Sequence, residues 1–347
     1  MKYGIILSVY LLLAVGGNSQ RAAYEATVVA FYNCENLYDT IHDPAINDLD
    51  FTPGGTRMYT RTVYLEKISH LAAAISQIGT ELVPGGLVLA GLAEVENDNV
   101  LYDLVADPAL AAHCYRFVHY DSRDPRGVDV ALLYDPRYFH VTESRAIPVW
   151  LPAAGIRSRY TRDILFVKGS LDGESIYIYV NHWPSRLGGE EKTMSSRAAA
   201  AAACRTDIDD LLRTDPAAKI IVMGDLNDDP VNGDIIRILK SKGSKNRVNP
   251  GEFFNPWADI YQDGIGTLAY GDTWNLFDQI LFGYTWLNKA QTGFFYYRSY
   301  VFNKPLLAEN AGRQRGHPMR SWLGNTYHGG YSDHFPVFSV LLRRTPP

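Results

Sequence analysis

Residues 220–230 read IIVMGDLNDDP, an apolar run that ends in Asp225, Asn227, Asp228 and Asp229. Acids at that density repel one another unless a cation or a reaction uses them. Asp225, Asn227 and Asp229 alternate as the first ligands of a calcium loop do. The sixth position, however, is Pro230 where such a loop needs Gly, and the twelfth is Ile236 where it needs Glu. A calcium loop is excluded. Asp228 and Asp229 read as caps for the turn that follows, whereas Asp225 and Asn227, set tightly behind Gly224, read as a functional pair.

Four other apolar runs end the same way: FYNCEN at Asn33 to Asn36, LAEVEN at Glu94 to Asn97, VNHWPSR at Asn181 to Arg186, and YSDHFPV at Asp333 and His334. Strand ends at one edge of an α/β layer converge on a common rim, where ligands bind. A shared polar site is expected. Of the two acids in LAEVEN, Glu94 follows the apolar run directly and is the candidate; Glu96 is assigned to the loop capping the helix NVLYDLV. Asp333 and His334 are adjacent at the start of a terminal strand, so they are expected on opposite faces, one serving a metal and the other a carboxylate. SRDPRGVDV supplies Arg123 and Arg126 as candidate phosphate contacts.

These ends need elements to carry them. With 347 residues, 46% hydrophobic and 20% charged, the chain can bury one large core or two ordinary ones. TVVAFYN and GLVLAGLAEV read as buried strands, YLEKISHLAAAISQIG as an amphipathic helix ending at Gly79, and SSRAAAAAACRTDIDDLL as another helix. In DILFVKGSLDGESIYIYVNHW two strands flank Asp172-Gly173, a hairpin signal, so the sheet is mixed. With no linker or repeat, residues 21–347 are read as a single catalytic domain, α/β or α+β in class. The first twenty residues, MKYGIILSVYLLLAVGGNSQ, have the layout of a secretory signal peptide, with an apolar run too short to span a bilayer. Export to a periplasm or the medium follows, with no membrane anchor in the mature chain. Cys34, Cys114 and Cys204 allow at most one internal disulfide, with Cys34 the odd one. The net charge of -5 argues against a generally DNA-coating protein and leaves a local basic cleft open.

The order of the motifs is informative. Asn-x-Glu after the first strand, a Glu ending a later strand, Asn-His, Gly-Asp-x-Asn, the Asp of FDQILF and a terminal Ser-Asp-His together resemble the endonuclease/exonuclease/phosphatase superfamily. The resemblance runs from about Ala30 to Val340. Each motif alone is common, and six in order are specific. It implies a four-layer sandwich, two mixed β-sheets packed together with helices on the outer faces, and a metal-dependent site at one edge. It implies that Glu94 holds the divalent cation, that Asn33 and Glu35 help order it, and that Asp333 is a metal-side ligand. Asp225 and Asn227 match the pair that orients the attacking water and contacts the phosphate. His182 resembles the histidine that donates to the phosphoryl oxygens, and His334, paired with Asp278, resembles the general base or electrostatic partner. Gln279 stands where many members carry Arg or Tyr.

The chemistry agrees with the likeness. An anionic phosphodiester repels hydroxide, so its hydrolysis needs a hard cation, donors on the non-bridging oxygens and a base near the water. Carboxylates and amides suit Mg²⁺, with Mn²⁺ or Ca²⁺ as substitutes, and there is no Cys/His cluster of zinc spacing. Arg126 and Arg186 are the expected substrate-binding cations. Between Leu281 and His328 six Lys or Arg residues stand against one acid, Glu309, among Phe294, Phe295, Tyr296, Tyr297, Tyr300 and Trp322. That combination suits a phosphate backbone and stacked bases, which favours a secreted nuclease acting on DNA or RNA. The alternatives are a phosphatase or sphingomyelinase-type phospholipase C acting on inositol phosphates or phospholipids, with GFFYYRSYVF as a membrane hairpin. A non-catalytic scaffold would be expected to lose Asp225, His334 or Glu94, and all three are present. No stable protein partner is implied.

Overall fold

The computed structural model describes residues 23–152, 160–290 and 292–345, so the leader read over residues 1–20 lies outside the described residues. One sheet has six strands in the spatial order Phe295–Val301, Val337–Arg344, Tyr24–Leu37, Leu87–Val95, Asp129–Tyr134, Arg116–His119. The other has seven: Phe139–Ile147, Ile164–Leu171, Glu174–His182, Ile220–Asp225, Asp278–Gly283, Phe253–Phe254, Ser241–Lys242. Each is mixed, as expected. In the six-stranded sheet Tyr24–Leu37 runs parallel to Leu87–Val95, and in the seven-stranded sheet Glu174–His182 runs parallel to Ile220–Asp225. Parallel neighbours finish on the same edge, and this brings the polar strand ends together.

Side-chain alternation builds the layers. Val29 and Phe31 enter an inter-sheet core with Leu89, Leu132, Ile178, Val180, Ile221 and Met223. Val28, Ala30 and Tyr32 face the other way, into a core with Ile68, Leu71 and Ile75 of the helix Arg61–Ile75. The helix Glu190–Thr214 covers the second sheet through Ala200, Ala201, Cys204 and Ile208, packed against Tyr179, Val222 and Leu281. Three apolar interfaces thus join four layers.

Two local predictions hold for physical reasons. Leu171 pairs with Glu174, and the two residues between them, Asp172 and Gly173, have φ of 45° and 86°, the left-handed pair a two-residue hairpin requires. A Cβ on Gly224 would lie 2.3 Å from the Asn181 carbonyl oxygen, so only glycine lets these strands close up just before Asp225.

The aromatic, basic segment near the C-terminus differs from its expected role. It forms the strand Phe295–Val301, paired to Val337–Arg344, and Phe294, Phe295, Tyr296 and Trp322 are buried in the cores. Their rings fill both faces of the sheet and are not a surface for stacking bases. Three of its six cations are paired: Lys304 with Glu81, Arg313 with Asp272 and Arg320 with Asp333. All three cysteines are free, Cys34 and Cys204 buried and Cys114 exposed.

Candidate active site

Strand register assembles the site. His182 lies opposite Asp225 on the parallel neighbour, and Asp278 lies opposite Asp225 on the antiparallel one. Directly opposed residues share a face, so the three polar groups stand in a row. From the other sheet Asn33 donates its amide to Asp225 Oδ2 at 3.0 Å, a hydrogen bond that ties the two sheet edges together. Glu94 sits at the end of the strand beside it. Of the eight described non-glycine residues with positive φ, four lie here: Glu35, Asn36, Glu94 and Asn227. Left-handed backbone costs non-glycine residues of the order of 1–2 kcal/mol each, and it is concentrated where polar side chains turn into the rim.

Asp225 is the hub. Its Oδ1 accepts the Asn227 amide N–H at 3.0 Å, while its Oδ2 lies 3.6 Å from His182 Nε2 and 3.9 Å from His334 Nε2. Burial, with Asp278 and Glu94 nearby, pushes its carboxyl above the ordinary range against the pull of His334. The two histidines are driven apart. Burial, helped by Arg162, Arg126 and His334, holds His182 well below its usual pKa and so neutral. Burial also works against charge on His334, but Asp278, Asp225 and Asp333 outweigh it and hold that imidazole well above the usual value. Its Nδ1 lies 2.7 Å from Asp278 Oδ2. One histidine is kept neutral and the other cationic within a single cleft, the arrangement that separates hydrogen-bonding from acid or electrostatic roles.

Glu94 is held ionised by its neighbours. Burial would raise its pKa, yet Arg126, His334 and Arg162 together lower it. Arg126 Nη2 is 3.2 Å from Glu94 Oε1 and 2.5 Å from Asn36 Oδ1, and His182 Nε2 is 3.9 Å from the same Glu94 oxygen.

The other expected site residues fall in several places. Asp333 and His334 were expected on opposite faces, but the terminal strand begins only at Val337, so strand alternation does not govern them. Asp333 Oδ1 lies 3.9 Å from His334 Nε2, on the same site. Glu35 is turned toward the Ser321 loop and accepts the Ser321 N–H at 2.6 Å and that of Trp322 at 3.4 Å. Arg186 has every guanidinium nitrogen facing a protein acceptor: the Asn227 carbonyl, Glu190, Asp228, Asp229 and Asn232. Asn227 donates its side-chain amide to the Trp183 carbonyl at 3.0 Å. Glu96 does not cap the helix Asp98–Ala106. Asn97 does, accepting from the Asn99 and Val100 amides, and Glu96 is buried against the Asp39 N–H. Gln279 is fully buried, donating to the Asp228 and Leu276 carbonyls, so it braces the Asp225–Asp229 turn from behind.

Sequence reasoning missed Arg162. It is buried, pairs with Asp124 at 3.2 Å and donates to the Trp183 carbonyl at 2.7 Å, within electrostatic reach of both His182 and Glu94. Nothing in YTRDILFV marked it, because its partner Asp124 is 38 positions away. Asn36 was passed over as the tail of FYNCEN, though it donates its backbone N–H to Glu94 Oε2 at 2.8 Å.

The donors fit a divalent cation. Carboxylate oxygens of Asp225 and Asp278 lie within 4.8 Å of one another, Asp278 Oδ1 is buried without a partner, and Glu94 stands ionised across the cleft; His334 reaches the same cluster but, held protonated, offers it charge and a donor and no lone pair. A pocket of about 170 Å³ lies on the Asp333 side of the site, lined by Asp333, Arg320, His317, Gln314 and Tyr270 and not by Asp225, Asp278, His334 or Glu94. A larger cavity of about 780 Å³, lined by Pro230, Lys242, Lys245 and Arg247, contains none of these groups.

Sandwich, rim and motif order agree with one family. The model of the Endonuclease/Exonuclease/phosphatase family matches residues 28–343, and the chain belongs to that family. Among solved structures it is similar to an endonuclease/exonuclease/phosphatase family protein from Bacteroides thetaiotaomicron (16% identity, 93% of this chain and 96% of that one, TM-score 0.55). It is likewise similar to a mannosyl-6-phosphatase from Bacteroides thetaiotaomicron VPI-5482 (17%, 91% and 99%, 0.55). A third is TDP2 from D. rerio complexed with a single-strand DNA product (13%, 91% and 98%, 0.53). At these identities the likeness is one of fold. A search of curated proteins gives no match.

Proposed function

We propose that the chain is an Mg²⁺-dependent hydrolase of phosphoric esters, exported by its N-terminal leader and working as a single catalytic domain over residues 21–347. The carrying observation is the pair of oppositely tuned histidines around Asp225, facing an ionised Glu94. Glu94, with Asn33 and the Asp225 side, would hold the cation. Bound there, the cation neutralises phosphate charge and polarises the phosphoryl oxygen. Asp225 takes the proton of the attacking water, which its raised affinity for protons suits. Asn227 fixes the turn that aims Asp225. His182, neutral and with Nε2 in the cleft, donates to a non-bridging oxygen. His334, kept cationic by Asp278, faces the charge that develops on the phosphoryl group. Asp333 and Arg126 flank the substrate, while Glu35 and Arg186 act through the loops they brace.

A small phosphorylated molecule is the substrate class favoured by the pocket beside Asp333. Its volume is about 170 Å³, and Arg320, His317, Gln314 and Tyr270 give it a polar wall beside Asp333. Nucleic acid is the second reading, supported by the likeness to TDP2 seen with single-strand DNA. The test incubates the mature protein and Mg²⁺ with hexose phosphates, inositol phosphates, sphingomyelin, supercoiled plasmid, single strands and RNA, with Asp225→Ala and His334→Ala as controls. Phosphate release confined to small esters, lost in both variants, supports the first reading. Plasmid or strand cleavage with inert small esters replaces it with the second. No metal-dependent hydrolysis of any ester overturns both.

A further inference from the structure

A second cluster of metal-binding residues lies apart from the catalytic rim. The strand Arg116–His119 ends in His119, the strand Asp129–Tyr134 begins with Asp129, and the loop between them carries Asp121. A ring nitrogen of His119 and a carboxylate oxygen from each of Asp121 and Asp129 all lie within 4.8 Å of one another. Asp98, from the first turn of the helix Asp98–Ala106, is 3.0 Å from His119 Nδ1. That contact orients the ring as a carboxylate orients a ligand histidine and leaves Nε2 as the free nitrogen on the Asp129 side, while Asp121 Oδ1 lies 4.0 Å from Nδ1 on the outer side of the ring.

An independent observation points to an ion. The His119 side chain is only 2% exposed, and its Nε2 is buried with no hydrogen-bond partner, 3.9 Å from Asp129 Oδ2. This is too long for a hydrogen bond. Among the described residues, the cationic partners within 4.0 Å of Asp98, Asp121 and Asp129 come only from His119. Three carboxylates thus stand around one imidazole with no described Lys or Arg within 4.0 Å of them, Asp98 and Asp121 toward solvent and Asp129 buried.

We propose that His119, Asp121 and Asp129 form a second divalent-cation site of the zinc class, with Asp98 orienting the imidazole. One imidazole and two carboxylates are a three-ligand set with an open position, and the imidazole disfavours Mg²⁺ and Ca²⁺. The residues are eight and two positions from their neighbours in the set and arise from both ends of a loop, a spacing without a recognisable zinc pattern. The site clamps that loop, which also carries Asp124, paired with Arg162, and Arg126, paired with Glu94. A cation there would hold in place the two arginines that keep Glu94 ionised and His182 neutral.

The test titrates Zn²⁺ into full-length mature protein in excess Mg²⁺, which occupies the catalytic acids, and reads bound metal by calorimetry and elemental analysis alongside thermal unfolding. Asp121 is 83% exposed at its side chain, so Asp121→Asn removes a ligand without endangering the fold, and His119→Gln is the second variant. The expected result is one equivalent of Zn²⁺ bound by wild type with a rise in Tm, and loss of both in each variant, whose metal-free Tm stays at the wild-type value for Asp121→Asn. Wild type that binds no Zn²⁺ under these conditions, or equal binding by wild type and both variants, overturns the proposal.

Discussion

Asp278 Oδ2 holds His334 Nδ1 at 2.7 Å, and the same ring turns Nε2 toward Asp225 Oδ2 at 3.9 Å. The carboxylate thereby fixes both the orientation of the imidazole and its charge. Asp278→Asn keeps the shape and removes the charge, so kcat should fall by about 10²-fold or more. Asp278 raises the His334 pKa, so its loss should also move the alkaline edge of the kcat–pH profile to lower pH. A profile whose edge stays put would show that the protonated form of His334 is not what the reaction uses.

Glu94 is the carboxylate held ionised at the rim, by Arg126, His334 and Arg162. Glu94→Gln should raise the Mg²⁺ concentration for half-maximal activity by about tenfold or more while the fold is retained. Calorimetric titration of Mg²⁺ into the variant checks it directly.

Arg186 spends all its nitrogens on the 227–232 loop and Glu190, and its guanidinium lies 4.6 Å from the Phe277 ring centroid. Arg186→Met should therefore act on stability, lowering it by about 1–3 kcal/mol with little change in KM, because Asp229 loses its cation and keeps only the Leu276 and Asn275 donors, while Asp228 keeps Arg197 at 2.8 Å. Denaturant melts and steady-state kinetics on one preparation separate the two. A large rise in KM at unchanged stability would return Arg186 to the substrate.

Glu96 is buried against the Asp39 N–H, and burial, with the acids around it, pushes its carboxyl up to about 8. The unfolded chain ionises near pH 4.3, so the native state binds the extra proton between these values. Stability from this group is full below that range and is lost as pH rises through about 8. Glu96→Gln keeps an acceptor for Asp39 and does not titrate. Its Tm should gain on wild type from pH 5 to about pH 8 and level off above that, and a constant difference across pH 5 to 8 would refute the assignment.

The order of the polar strand ends was legible in the sequence because each follows an apolar run, and the parallel pairs put those ends on one edge. Asn33, Glu94, His182 and Asp225 stand out that way, whereas Asp278 and His334 precede their strands and are marked by the family resemblance and the Ser-Asp-His motif. What escaped was set by long-range partners or by local breaks in regular structure. Arg162 matters through Asp124, and no pattern in its own strand shows this. Glu35 follows Asn33 at strand spacing but leaves the rim because the backbone turns left-handed at Glu35 and Asn36. Asp333 joins His334 because the strand expected to separate them starts later. The aromatic tract was read for its composition, which buried rings in a two-sided sheet and stacking rings on a surface share.

The central claim is that this rim hydrolyses phosphoric esters with a divalent cation and Asp225. The most direct measurement is the rate of bis(p-nitrophenyl) phosphate hydrolysis by mature protein, first after chelation, then after Mg²⁺ is restored, beside Asp225→Ala in the same buffers. The account predicts that chelation abolishes the reaction, that Mg²⁺ restores it, and that Asp225→Ala stays at least ~10²-fold slower in saturating metal. Hydrolysis that survives chelation, or that Asp225→Ala leaves at the wild-type rate, would contradict it.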